Sequence, residues 1–275
     1  MNFNEYIAQS RYRSPSTSRN RLAPYATRFF LCLLLMEFIL HYMYTNAIFN
    51  TDPDYNAYSP FQITMLAYFN LHVIWLKLLI PWRFFRLWSL VDGIDPPENM
   101  VRCASDNYSM MTFWRGWHRS YNQWIIRYIY IPLGGSRVKS FWRTVFNFFV
   151  VFTFVALWHD INLRLLVWGW MVVIFVLPEI VAQMIFPAKA WRDRPTTYRV
   201  LQGIGGVANL CMIMAANLVG FAVGVDGFKG MVSGIVGTVA GRVFFVAAYA
   251  TVFVGVQIML EWRQSEARRG VLLKF

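Results

Sequence analysis

Two short stretches carry the residue types that could do chemistry. Residues 113–135 read FWRGWHRSYNQWIIRYIYIPLGG and set His118 and Asn122 one helical turn apart, with Arg115 and Arg119 beside them and Arg127 further round. Residues 146–163 read FNFFVVFTFVALWHDINL; from Phe148 to Trp158 Thr153 alone is polar, and His159 and Asp160 follow. An imidazole changes charge near neutral pH, so it can take up and release a proton where few other side chains can. A titratable group at or within an apolar segment is costly, and function is the first reading of it. Plainer readings compete. His159, Asp160 and Asn162 also fit a turn at a helix end, and a lone His118 also fits a hydrogen-bonded structural residue. Spacing alone leaves both open.

The elements that must position these residues are helical. Trp114, Trp117, Tyr121, Trp124 and Tyr128 recur at alternating steps of three and four, which predicts one amphipathic helix with a narrow aromatic stripe. Pro132, Gly134 and Gly135 are expected to end it in a turn. Its aromatics suit a headgroup-level belt, and its arginines suit lipid phosphate. His41 and His72 also sit in apolar text and are expected to hydrogen-bond internally, with Glu37 and Thr45 near the first and Asn70 near the second.

Composition fixes the class around them. The chain has 275 residues, 57% of them hydrophobic and only 15% charged, where a soluble domain carries about a quarter charged residues. It is therefore expected to be an all-α polytopic membrane protein. Apolar stretches at Phe29–Phe49, Phe61–Ile80, Val145–Trp158, Leu165–Phe186, Val200–Val225 and Val243–Trp262 give about six transmembrane helices. Pro81 is expected to stop the second, and the Arg- and Trp-rich stretch after it, residues 81–100, reads as an interfacial helix. The Gly-rich segment at 226–242 reads as a loop dipping into the membrane.

The net charge of +12 fits basic cytoplasmic loops better than nucleic acid. Basic and poor loops alternate along the chain as six spans require, which puts both termini in the cytoplasm. A polar cytoplasmic tail over 1–27, a membrane domain over 28–262 and a basic cytoplasmic tail over 263–275 follow. The first 25 residues lack the apolar core of a signal peptide. Three widely spaced cysteines indicate neither a disulfide framework nor a metal site. Phosphate-loop and nucleophile-elbow motifs are lacking too.

WRGWHRSYNQWIIRYIYIPLGG followed by FTFVALWHD resembles the signature of the membrane-bound O-acyltransferase family, most closely its fungal branch, associated with glycerol uptake and with remodelling of GPI-anchor lipid. LKLLIPWRFFRLWSLVDGIDPPENMVRC and LLVWGWMVVIFVLPEI extend the likeness, whose core covers 76–186. The resemblance implies a partial version of that family's fold, the C-terminal half, without the amino-terminal helices of typical members. It implies transfer of a long-chain acyl group from acyl-CoA, a co-substrate and not a bound cofactor, to a lipid hydroxyl such as a lyso-GPI or lyso-lipid in the endoplasmic reticulum. The catalytic role falls on His159, with His118 at the family's second marked position. A neutral imidazole can take the proton of an attacking hydroxyl, and a dry tunnel strengthens dipoles aimed at the oxyanion. His118 or Asn122 would polarise the carbonyl or orient the acceptor. Arg115, Arg119, Arg127, Arg137 and Lys139 would meet the phosphates of CoA. The alternatives are a glycerol transporter or uptake regulator, and an inactive truncated membrane scaffold. A transporter is expected to show paired broken helices in repeated halves, and the sequence shows no such repeat.

Overall fold

Among the described residues, six helices are long and apolar enough to cross a membrane. A computed structural model describes residues 3–4, 7–8, 19–138 and 140–271. Its helices are α1 (Arg19–Tyr42), α2 (Thr45–Asn50), α3 (Pro60–Val91), α4 (Met110–Trp117), α5 (Arg119–Ile125), α6 (Phe141–His159), α7 (Leu163–Ile185), α8 (Pro195–Phe221), α9 (Gly224–Val236) and α10 (Val239–Arg268). The candidate spans are α1, α3, α6, α7, α8 and α10. No strand forms among the described residues.

Helix α3 begins with a capping box. Ser59 Oγ accepts the Gln62 N–H (3.3 Å), the Gln62 carboxamide oxygen accepts the Ser59 N–H (2.9 Å), and Pro60 fills the first turn, where no N–H is needed. Pro81 does not stop the helix, contrary to the sequence expectation; α3 runs unbroken to Val91. A proline removes one N–H and crowds the carbonyl four residues back, but a packed bundle can absorb that loss. The continuation is clamped from outside: Arg86 donates to Asp95 (2.8 Å), to Glu98 (3.2 Å) and to the Pro96 carbonyl (2.7 Å). The expected interfacial helix is thus the last third of α3.

Two other boundaries move. The first span ends at Tyr42 and not at Phe49, because Tyr44 leaves helical geometry (φ −80°, ψ 41°) before α2 starts. The Gly-rich segment is helical as α9, not a loop. Its glycines let it close on the turn before α3 and on the first turn of α3 itself: a Cβ on Gly230 would lie 2.9 Å from the Tyr55 ring, and one on Gly234 would lie 2.8 Å from Ile63.

The motif with the aromatic stripe is not one continuous helix. It enters the bundle as two short pieces, α4 and α5, broken at His118. Met110 and Phe113 are buried and pack with Trp168, Val172 and Val176 of α7 and with Ile213 and Ala216 of α8. The anchor is a carboxylate set in apolar text. Glu179 of α7 accepts from Ser109 Oγ (2.5 Å), from the Met111 N–H (3.3 Å) and from Asn209 of α8 (3.3 Å). It thereby pins the first turn of α4, where the helix dipole favours negative charge, to both neighbouring spans.

Helices α6 and α7 form a hairpin whose turn is closed by Asn162, which accepts the Arg164 N–H (2.9 Å) as the cap of α7. In lipid, close packing rather than hydrophobic transfer holds helices together, so small residues at crossings count. Gly169 is such a crossing: a Cβ there would lie 2.8 Å from the Phe152 carbonyl oxygen of α6. Gly169→Ala is expected to force α6 and α7 apart and to destabilise the protein by about 1–3 kcal/mol. A thermal melt of the purified protein in detergent checks this, and an unchanged midpoint would contradict it.

Candidate active site

The break at His118 (φ −138°, ψ 76°) frees backbone groups that lipid cannot satisfy, and the loop after α3 satisfies them. The Asn99 carbonyl accepts the Arg119 N–H (2.9 Å), and the Asn99 side-chain oxygen accepts both the Ser120 N–H (3.0 Å) and its hydroxyl (2.9 Å). On the other side of the break, the Gly116 carbonyl accepts the Val101 N–H (3.0 Å). The interruption is therefore a built feature with its polar groups paired.

His118 is also the cap of α5. Its Nδ1 accepts the Tyr121 N–H (3.3 Å), so in the neutral ring the proton sits on Nε2. Burial holds the imidazole well below its ordinary value, at about 4, with the nearby His159 acting in the same direction. The Trp82 ring of α3 covers it at 4.3 Å between centroids. At neutral pH, His118 is thus an uncharged Nε2–H donor.

His159 is the last residue of α6. Its ring is set edge-on against Trp168 and Phe221, with centroids 5.5 Å away in each case. Neither ring nitrogen has a hydrogen-bond partner among the described residues, in contrast to His118. Both nitrogens remain available to a substrate.

One cavity of about 1000 Å³ joins the two histidines, with walls from α3 to α8 and α10. His118, Asn122 and Arg115 reach it from the broken motif, His159 and Trp158 from α6, and His72 and Lys77 from α3. The rest of the lining is mostly apolar and aromatic. Tyr121 stacks on Trp158 at 4.4 Å, and this stack ties the two motifs together beside both histidines. Burial pushes the Tyr121 phenol up to about 12, and its buried hydroxyl has no partner among the described residues.

Of the positions expected from sequence, His118, His159, Asn122 and Arg115 come together in this cavity. Arg119, Arg127 and Arg137 are not among the residues that line it, and Lys139 lies outside the described residues. Lys77 was missed, although a lysine within an apolar span is itself a signal; it lines the cavity and has no carboxylate within ion-pair distance among the described residues. Glu179 carried the same signal. His72 is hydrogen-bonded as expected, but to Ser105 (2.6 Å) and the Tyr68 carbonyl (2.8 Å), while Asn70 pairs with Asn46 (2.7 Å). His41 is exposed and makes no hydrogen bond with Glu37 or Thr45.

The model of the membrane-bound O-acyltransferase family matches residues 1–225. The chain is 52% identical over 273 residues to the membrane-bound O-acyltransferase GUP1 of Candida tropicalis, covering 98% of this chain and 46% of that protein. It is 50% identical over 272 residues to GUP1 of Saccharomyces cerevisiae, covering 99% of this chain and 47% of the relative. It is 28% identical over 162 residues to the protein-cysteine N-palmitoyltransferase HHAT of Mus musculus, covering 58% of this chain and 32% of that protein. The chain thus spans about half the length of the GUP1 proteins it matches. The matches and the six apolar helices together identify an integral membrane protein.

The lowered His118 value has a direct consequence. Its contribution to stability is complete above the ordinary value of 6.5 and is lost as pH falls through about 4, because the folded protein resists the charge. In the NMR spectrum of ring-labelled histidine, assigned with His118→Gln, this residue is expected to stay neutral at pH 5.5. Half-protonation near pH 6.5 would contradict the site.

Proposed function

The chain belongs to the membrane-bound O-acyltransferase family, and on that premise we propose that it moves a long-chain acyl group from acyl-CoA to the hydroxyl of a membrane lipid. The observation that carries this reading is an apolar cavity holding a neutral His118, whose Nε2–H has no partner among the described residues, together with a His159 whose two nitrogens have none there either. Those are the two functions that acyl transfer to a hydroxyl requires: a proton acceptor and a donor toward the carbonyl oxygen.

In the proposed reaction, His159 takes the proton of the acceptor hydroxyl as its oxygen bonds to the thioester carbonyl carbon. The oxyanion that forms accepts from His118 Nε2–H. Collapse breaks the carbon–sulfur bond, and His159 returns the proton to the CoA sulfur, leaving an ester and a thiol. Asn122 orients the reactants through its carboxamide. Arg115, joined by Lys77, supplies positive charge for anionic groups of the donor. The apolar walls take the acyl chain and keep water from competing for it.

The acceptor class is read from the relatives. Relatives 50–52% identical are named O-acyltransferases, which favours a hydroxyl over the cysteine amine of the palmitoyltransferase. A lyso-lipid of the GPI-anchor type in the endoplasmic reticulum, with both termini of this chain cytoplasmic, is the finer form of the proposal. The alternation of basic loops supports that orientation.

The test is turnover of labelled long-chain acyl-CoA with a lyso-lipid acceptor by the purified protein in nanodiscs. His159→Ala is expected to lower kcat by about 10²–10⁴-fold, and His118→Ala by about 10²–10³-fold, with both variants inserted and folded. Equal turnover in His159→Ala and the unaltered protein would overturn the assignment. No turnover in any folded sample would favour a membrane scaffold.

A further inference from the structure

His159 borders a second space. A pocket of about 260 Å³ is bounded by His159, Asn162, Arg164, Leu165, Gly220 and Phe221, so the imidazole stands between this pocket and the main cavity. The volume is below the range of pockets that take whole drug-sized ligands. It suits a headgroup fragment, with the rest of the molecule left outside.

Arg164 gives this pocket its chemistry. Its Nε donates to the Val219 carbonyl of α8 (2.9 Å), which fixes the guanidinium in place. Its two terminal amino groups have no partner, and no carboxylate lies within ion-pair distance of it among the described residues. Asp160, four residues earlier, turns its carboxylate to the Ile161 N–H (2.8 Å), and the Asn162 side-chain oxygen is committed to capping α7. A half-buried cation held by one nitrogen and open at two others is a fork matched to two oxygens of one anion.

We propose that Arg164 binds a phosphate carried by the acceptor lipid, and that this contact presents a neighbouring hydroxyl of the same molecule to His159. The inference rests on the acyl-transfer reading and adds to it a net-negative phospholipid acceptor and the residue that selects it. The donor in the main cavity and the acceptor headgroup in the smaller pocket then meet at His159. Arg164 touches no reacting atom; it is a specificity-determining residue.

The experiment measures binding without any acyl donor, so its outcome is separate from turnover. The protein in phosphatidylcholine nanodiscs is titrated with lysophosphatidylglycerol and with a neutral monoacylglycerol of the same chain, using native mass spectrometry. Arg164→Gln is expected to weaken the anionic lipid about tenfold or more while the neutral one stays within about twofold. Asn162→Asp keeps a capping side chain but places negative charge in the pocket, and it is expected to weaken the anionic lipid selectively too, independently of whether Arg164 variants fold. Equal effects on both lipids, or no effect on the anionic one, would overturn the proposal. Displacement of lysophosphatidylglycerol by inorganic phosphate at matched concentration would also overturn it, by showing a site for the free anion. Selective binding without turnover would leave the Arg164–phosphate contact standing and remove the transferase reading together with the presentation of a hydroxyl to His159; turnover without selective binding would overturn the Arg164 contact and leave the transferase reading.

Discussion

Asn99 accepts two backbone N–H groups and a hydroxyl at the point where the helix of the first motif is interrupted, and the rest of the site depends on that contact. A helix broken inside a bundle leaves polar backbone groups that cost several kcal/mol each if lipid surrounds them. With Asn99 and Val101 pairing those groups, the chain can change direction at His118. The change turns the His118 ring toward the cavity and uses its Nδ1 as the cap of α5. Without the break, His118 would be one more residue on a continuous helix face, with no reason for its proton to sit on Nε2.

The two histidines are held in different ways, and the difference matches the two tasks proposed for them. His118 is fixed by a hydrogen bond and a covering tryptophan, kept neutral by burial, and left with one donor. His159 is fixed by aromatic edges alone, which orient the ring without occupying its nitrogens. The Tyr121–Trp158 stack couples them, so a shift of either motif is felt by the other. Glu179 supports the arrangement from below by tying the start of α4 to α7 and α8. It is a positioning residue, as is Asn99.

Much of this was legible in the sequence, and the remainder was hidden for identifiable reasons. Hydropathy found all six spans, because a span is a local property of about twenty residues. The pairing of His118 with His159 followed from the resemblance of two motifs and was not derivable from spacing. The break at His118 was invisible because the aromatics keep helical spacing across it, while the groups that permit it come from Asn99 and Val101 in the loop after α3, outside the helical pattern. Pro81 misled for the converse reason: the clamp that carries α3 past it, Arg86 with Asp95 and Glu98, lies beyond the proline. Lys77 and Glu179 were readable as charges in apolar text and were passed over. Arg115 and Arg119 would share a face on a continuous helix; the break at His118 lies between them, and Arg115 lines the cavity while Arg119 does not.

The central claim is that the interrupted helix delivers the His118 Nε2–H and the open His159 ring to the same carbonyl. A cryo-EM structure of the protein in nanodiscs with a non-hydrolysable acyl-CoA analogue tests it most directly. The account predicts that the acyl chain lies in the main cavity, that the carbonyl oxygen is within hydrogen-bond distance of His118 Nε2, and that His159 stands beside the carbonyl carbon. A continuous helix through residue 118, or a carbonyl bound away from both histidines, would contradict it.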